Sequence, residues 1–141
     1  MIRKYNYKLE TGTVGTDDDN IANILYNINR MEMKVSFTSS DKQELDKALS
    51  ELYFMTVDSK VHLNRFLKDF DGKVEANIVD AILAVLDEAI KTSGNALDEM
   101  DEVIDQTDTT KLCAVFPAVY KNLLAIVPSV LALDDQAVGR V

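Results

Sequence analysis

Residues 112 to 133, LCAVFPAVYKNLLAIVPSVLAL, are nearly all apolar and as long as a membrane span. A run like that must be hidden from water, whether by a bilayer, by the rest of the chain or by another subunit. Lys121 and Asn122 stand at its centre, where each would be costly in hydrocarbon. Pro117 and Pro128 remove helical hydrogen bonds, and neither end carries the basic cluster that anchors a span. The expectation is therefore a buried or subunit-facing helix, kinked or divided at the two prolines, with no membrane span. Phe116, Val119, Leu123 and Val127 are its expected core or oligomer contacts.

The chain has 141 residues, enough to bury a core as one domain without metal or disulfide staples. With 47% hydrophobic and 28% charged residues, it falls among folded rather than disordered sequences. The start, IRKYNYKLE, alternates in the manner of a strand, and so does MEMKVSF from Met31 to Phe37. Between them Ile21, Ala22, Ile24, Leu25 and Ile28 mark one face of a helix, with Thr16 as its N-cap. Residues 1 to 38 thus read as strand, helix, strand. A two-stranded sheet needs a helix or further strands against it to be stable.

From residue 41 onward the pattern is helical. Leu45, Leu49, Leu52, Leu63, Phe66, Leu67 and Phe70 share one face, which predicts one helix over 41 to 70, or two broken near Asp58 and Ser59. LYFMTV, residues 52 to 57, competes as a third strand. Asp71 and Gly72 mark a turn. VEANIVDAILAVLDEAI is apolar around most of its circumference, with Asn77, Asp80, Asp87 and Lys91 as a narrow polar edge, and is expected in the middle of a bundle. Gly94 is expected to end that helix and Asn95 to cap the next. The fold class expected is α+β, mainly α: a strand-helix-strand element at 1–38 packed on a bundle of four to five helices at 39–133, with a tail at 134–141.

NALDEMDEVIDQTD, residues 95 to 108, holds six carboxylates and no basic residue. Ala96, Leu97, Met100, Val103 and Ile104 form its apolar stripe, so Asp98, Glu99, Asp101, Glu102 and Asp105 fall on the wet face of an amphipathic helix. At the start of a helix such carboxylates meet the positive pole of its dipole. They diverge from a convex surface and do not suit a hard cation, which needs oxygens from several directions. Besides a solvated face, they could imitate phosphates and fill a basic groove on a partner.

Motifs of chemistry are fragmentary. GTVGTDDD lies between a strand and a helix, but the Lys and Ser or Thr of a phosphate loop are missing, and Asp17, Asp18 and Asp19 would repel a phosphate. DFDGKV resembles the middle of a calcium loop, yet Leu67 and Ile78 stand where the first and last ligands belong. His62 is the only histidine, which rules out a two-histidine metal site in one chain; four residues after Asp58, it reads as half of a surface ion pair. Cys113 is the only cysteine and reads as a small buried hydrophobe; neither it nor Ser39 and Ser40 has a nucleophile elbow. Asp80 interrupts the most apolar helix and reads as its wet edge.

No catalytic constellation, cofactor or metal site is therefore expected. A net charge of −9 disfavours direct binding to nucleic acid or an anionic membrane and favours a partner with a basic surface. The reading is a non-enzymatic assembly or adaptor protein acting through protein contacts, self-associating as a homo-oligomer. Its setting is the cytoplasm, or a virus particle or infected host cytoplasm if the chain is viral. The alternative is an acidic inhibitor that mimics nucleic-acid charge and blocks a basic site on a nucleic-acid-handling protein.

Overall fold

The computed structural model describes residues 20–31, 42–70, 72–102 and 111–137. Among these, five helices follow in order: α1 (Asn20–Met31), α2 (Lys42–Phe70), α3 (Ala76–Glu102), α4 (Val115–Ala125) and α5 (Val127–Ala137). A single helical turn over residues 111–113 leads into α4.

Helices α2 and α3 make an antiparallel hairpin. Gly72 turns the chain at φ 81°, a backbone state that L side chains rarely adopt, and Lys73 N–H closes the turn on the Phe70 carbonyl at 3.0 Å. The register shows in two contacts. Tyr53 lies against Gly94, while Lys60 meets the Asp87 carboxylate at 2.6 Å, so moving forward along α2 moves backward along α3. On α3, Val79, Ile82, Leu86, Ala89, Ser93, Ala96 and Met100 are buried at alternating steps of three and four. That spacing suits a shallow helix crossing.

Helix α2 runs unbroken through Asp58 and Ser59, which settles the choice between one helix and two. Its apolar face lapses at Thr56 and Ser59, both buried. Each hydroxyl donates to its own helix, Thr56 to the Leu52 carbonyl at 2.7 Å and Ser59 to the Met55 carbonyl at 2.8 Å. Two potential breakers are thereby satisfied locally, and the helix continues. The same segment shows LYFMTV to be helix: Leu52 and Thr56 point inward and Phe54 outward.

The enclosed helix is α1. It packs on α2 and on both α4 and α5, and only Asn29 and Arg30 are exposed. Ile21, Ile24, Leu25, Ile28 and Met31 enter the common core, each worth about 1.5–3 kcal/mol of burial if compared with full exposure. Helix α3, expected at the centre, lies further out: Asn77, Asp80, Asp87 and Lys91 are exposed, and so are Ala81, Ala84 and Glu88. Alanine had made its face look greasier than its environment is.

Three expectations are corrected. The α+β class gives way to an all-helical bundle, because the described residues contain no strand and no strand-helix-strand element. Met31, taken as the start of a strand, is the last residue of α1: it extends the 21, 24, 28 stripe by three residues, and helical continuation overrides local alternation. The other residues of both expected strands, 2–9 and 32–37, lie outside the described residues. Gly94 does not end a helix, and Asn95 does not begin one; α3 passes through both. A Cβ on Gly94 would sit 3.4 Å from the Tyr53 ring, an ordinary contact, so this helical glycine makes no turn and faces no tight approach.

The apolar segment divides at Ala114 and Ile126, two to three residues before each proline. This places Pro117 and Pro128 in the first turns of α4 and α5, where a helix has no partner for its N–H groups anyway. At the second division Ile126 N–H reaches back three residues to the Leu123 carbonyl at 3.2 Å. Gln136 then pins the far end of α5 to the hairpin turn by accepting the Glu75 N–H at 2.9 Å.

Candidate functional site

Polar side chains converge inside the bundle along the contact of α1 with α2. Asn20, Asn23 and Asn27 recur on α1 at helical spacing, and all three are buried. Opposite them stand Asp58, Ser59 and His62. Asn27 Nδ2 donates to Asp58 Oδ2 at 2.9 Å and to Ser59 Oγ at 3.1 Å, and lies 3.4 Å from the Met55 carbonyl. Ser59 passes the chain on by donating to that same carbonyl.

One helical turn further along α2, His62 occupies the other end of the seam. Its Nδ1 is 2.8 Å from Asn20 Oδ1, and its Nε2 is 3.4 Å from Asp58 Oδ2. With a hydrogen on Nδ1, the ring donates to Asn20 Oδ1. His62 was expected on the surface, and it is 7% exposed instead. The expected contact with Asp58 exists, but Asp58 stands at the open edge of the seam while the imidazole lies inside. The three asparagines at positions 20, 23 and 27 are the signal the sequence carries, and it is masked because asparagine on a helix is ordinarily outside.

Chemically the seam is a closed circuit. The Ser59 hydroxyl donates to a carbonyl of its own helix, and among the described residues no base accepts its proton. His62 faces an amide and a carboxylate. Such a network fixes which residue of α1 meets which residue of α2, since a slip would strand buried polar groups.

The acidic row sits elsewhere. Asp98, Glu99 and Asp101 are exposed, and Ala96 and Met100 beside them are buried. Glu102 is the last helical residue, its side chain outside the described residues, and Asp105 also lies outside them. Because α3 does not stop at Gly94, these carboxylates stand at the C-terminal, negative pole of a 27-residue helix with no basic residue in its last turn. The dipole therefore works against them, contrary to expectation. No group of three or more His, Cys, Asp or Glu among the described residues could hold a metal ion.

Of the contacts expected in the apolar segment, Phe116, Val119 and Leu123 are buried in the chain's own core, and Val127 is half-buried. The outer side of the segment carries Ala118, Lys121, Asn122, Leu124, Ala125 and Pro128, all exposed, with Leu124 at 51%. Only 39% of the most apolar 18-residue window of Lys111–Ala137 lies buried. Cys113, in the same segment, is half-buried. Asp80 is exposed on α3. Comparison with known proteins returns no matching family model, no matching curated protein and no matching solved structure.

Proposed function

We propose that this is a non-catalytic assembly or adaptor protein that works through protein contacts and associates with itself. One observation carries the reading: the most apolar segment of the chain, Lys111–Ala137, leaves the greater part of its apolar window outside the core. A helix packed only to support its own bundle would turn polar residues outward, as α3 does with Asn77, Asp80 and Asp87. Here alanine, leucine and proline face out beside Lys121 and Asn122. The polar seam inside the bundle supports the same reading from the other side, because its hydrogen bonds are spent on positioning α1. The setting proposed is the cytoplasm, or the particle or host cytoplasm in the case of a viral protein. Sedimentation equilibrium across a wide concentration range tests the reading: oligomers are expected, and a strict monomer at the highest concentration would end it.

A second reading rests on the carboxylates at the end of α3. Asp98, Glu99 and Asp101 add to the negative pole of the helix with no cation in its last turn, which favours a partner with a basic groove. An inhibitor of this kind binds such a partner in a salt-sensitive way. Replacing the three residues by Lys should abolish capture of basic groove-bearing proteins; unchanged capture would remove this alternative.

A further inference from the structure

Charge is segregated along the apolar segment. Its N-terminal half carries only Lys111 and Lys121, and its C-terminal end carries only Asp134 and Asp135. This is the reverse of what the helix dipole favours. The mismatch lies at the outer ends: Lys111 precedes α4, whose first turn has no acidic residue, and Asp134 and Asp135 stand near the C-terminus of α5, whose last turn has no basic one. Between these ends the outward face carries Ala118, Leu124, Ala125 and Pro128 around Lys121 and Asn122, all exposed.

We infer that this face docks on the same face of a second copy of the chain, the two segments running antiparallel about a two-fold axis near Leu124. The inference rests on the self-association proposed above and adds which surface meets which, and in what direction. Antiparallel pairing sets the basic end of one segment against the acidic end of the other and opposes the two dipoles; parallel pairing would set like against like in both respects. The positions midway between Lys111 and Asp135 fall beside Leu124, which is why the axis lies there. An isologous contact of this kind also closes on itself and limits assembly to a pair. Small side chains let two helices approach to about 8–10 Å. The pairing puts Lys121 opposite the apolar Leu124 and Ala125 of the other copy, over which its methylene stem can lie with the ammonium at the rim.

The test uses sedimentation equilibrium on the full chain with three kinds of variant. Leu124→Arg should give a monomer with unchanged helical circular dichroism, since the site is exposed in the single chain. Lys111→Glu should weaken the pair about threefold to tenfold, and adding Asp135→Lys to it should restore most of the loss. Leu124→Cys combined with Cys113→Ser should form a disulfide-linked dimer under mild oxidation. A dimer indifferent to Leu124→Arg, with no crosslink through position 124, would overturn this inference and leave self-association standing. Wild-type protein that stays monomeric overturns both. Binding of the wild type to neutral phosphatidylcholine vesicles, lost in Leu124→Arg, would assign the face to a lipid surface and overturn the inference as well.

Discussion

Asn27 of α1 holds the Asp58 carboxylate of α2 at 2.9 Å, and through Ser59 the same amide is tied to the backbone of α2. A carboxamide suits this place because it is neutral and supplies two N–H donors. Asn27→Leu removes the donors while Asp58 can turn to water and Ser59 keeps its carbonyl, so the expected loss is about 1–2 kcal/mol. Asn27→Asp, nearly identical in shape, sets a second carboxylate against Asp58 in a buried place and should cost about 3 kcal/mol or more. Chemical denaturation that ranked the two variants the other way would show the seam to be unimportant.

The opposite end of the seam gives a coupling that can be measured. Asn20 and His62 are both buried and meet at 2.8 Å, on the ring nitrogen that does not face Asp58. A double-mutant cycle with Asn20→Ala and His62→Ala should return an interaction of about 1–2 kcal/mol. Additive losses would mean that the two side chains merely happen to be neighbours.

The two glycines of the hairpin should respond to alanine with opposite signs. Gly72 has φ 81° and open space around its Cα, so Gly72→Ala meets no clash but strains the backbone by about 1–2 kcal/mol. Gly94 is helical, and the Tyr53 ring at 3.4 Å from an added Cβ is an ordinary contact, so Gly94→Ala should stabilise by about 0.5–1 kcal/mol. Thermal melts of the two variants read both signs at once.

That pair also shows where the sequence was legible. Long-range helical phase was readable: Leu45, Leu49, Leu52, Leu63 and Phe66 were expected on one face of a helix, and all are buried on α2. Local punctuation was less so. Gly72 and Gly94 look alike in one dimension, and what separates them is backbone conformation: Gly72 takes φ 81° at the turn, whereas Gly94 lies inside α3. Alternation misled at Met31, where periods of two and of 3.6 agree for a single residue. The site was hidden for a different reason. Burying asparagine and histidine is unfavourable unless each finds a partner, and the partners of Asn20, Asn27 and His62 lie on another helix. The outward face of the apolar segment was half legible: its length and greasiness were plain, but which residues turned outward depended on the divisions at Ala114 and Ile126.

Core and outer residues of that segment should separate cleanly in stability measurements. Phe116 is 1% exposed, so Phe116→Ala opens a cavity and should cost about 3–5 kcal/mol. Leu124→Ala, two turns on and exposed, should change the stability of the single chain by no more than about 0.5 kcal/mol. Measurement under dilute conditions keeps association out of the comparison. A large loss at Leu124 in the monomer would place that side chain against its own bundle.

The acidic end of α3 offers a last, electrostatic prediction. Asp101 is exposed in the final turn, next to Glu102 and at the negative pole of the helix. Reversing it, Asp101→Lys, replaces two repulsions by two attractions, one with the dipole and one with the neighbouring carboxylates. The expected gain is about 0.5–1 kcal/mol at low salt. Because the site is open to solvent, raising the ionic strength to about 1 M, where the Debye length shrinks to about 3 Å, should erase most of that gain. The same substitution at a helix N-terminus would lower stability, since a cation there faces the positive pole. The sign of the Asp101→Lys effect therefore reports which end of a helix these carboxylates occupy. A loss of stability that salt relieves would mean that the helix begins at Asn95 and does not pass through it.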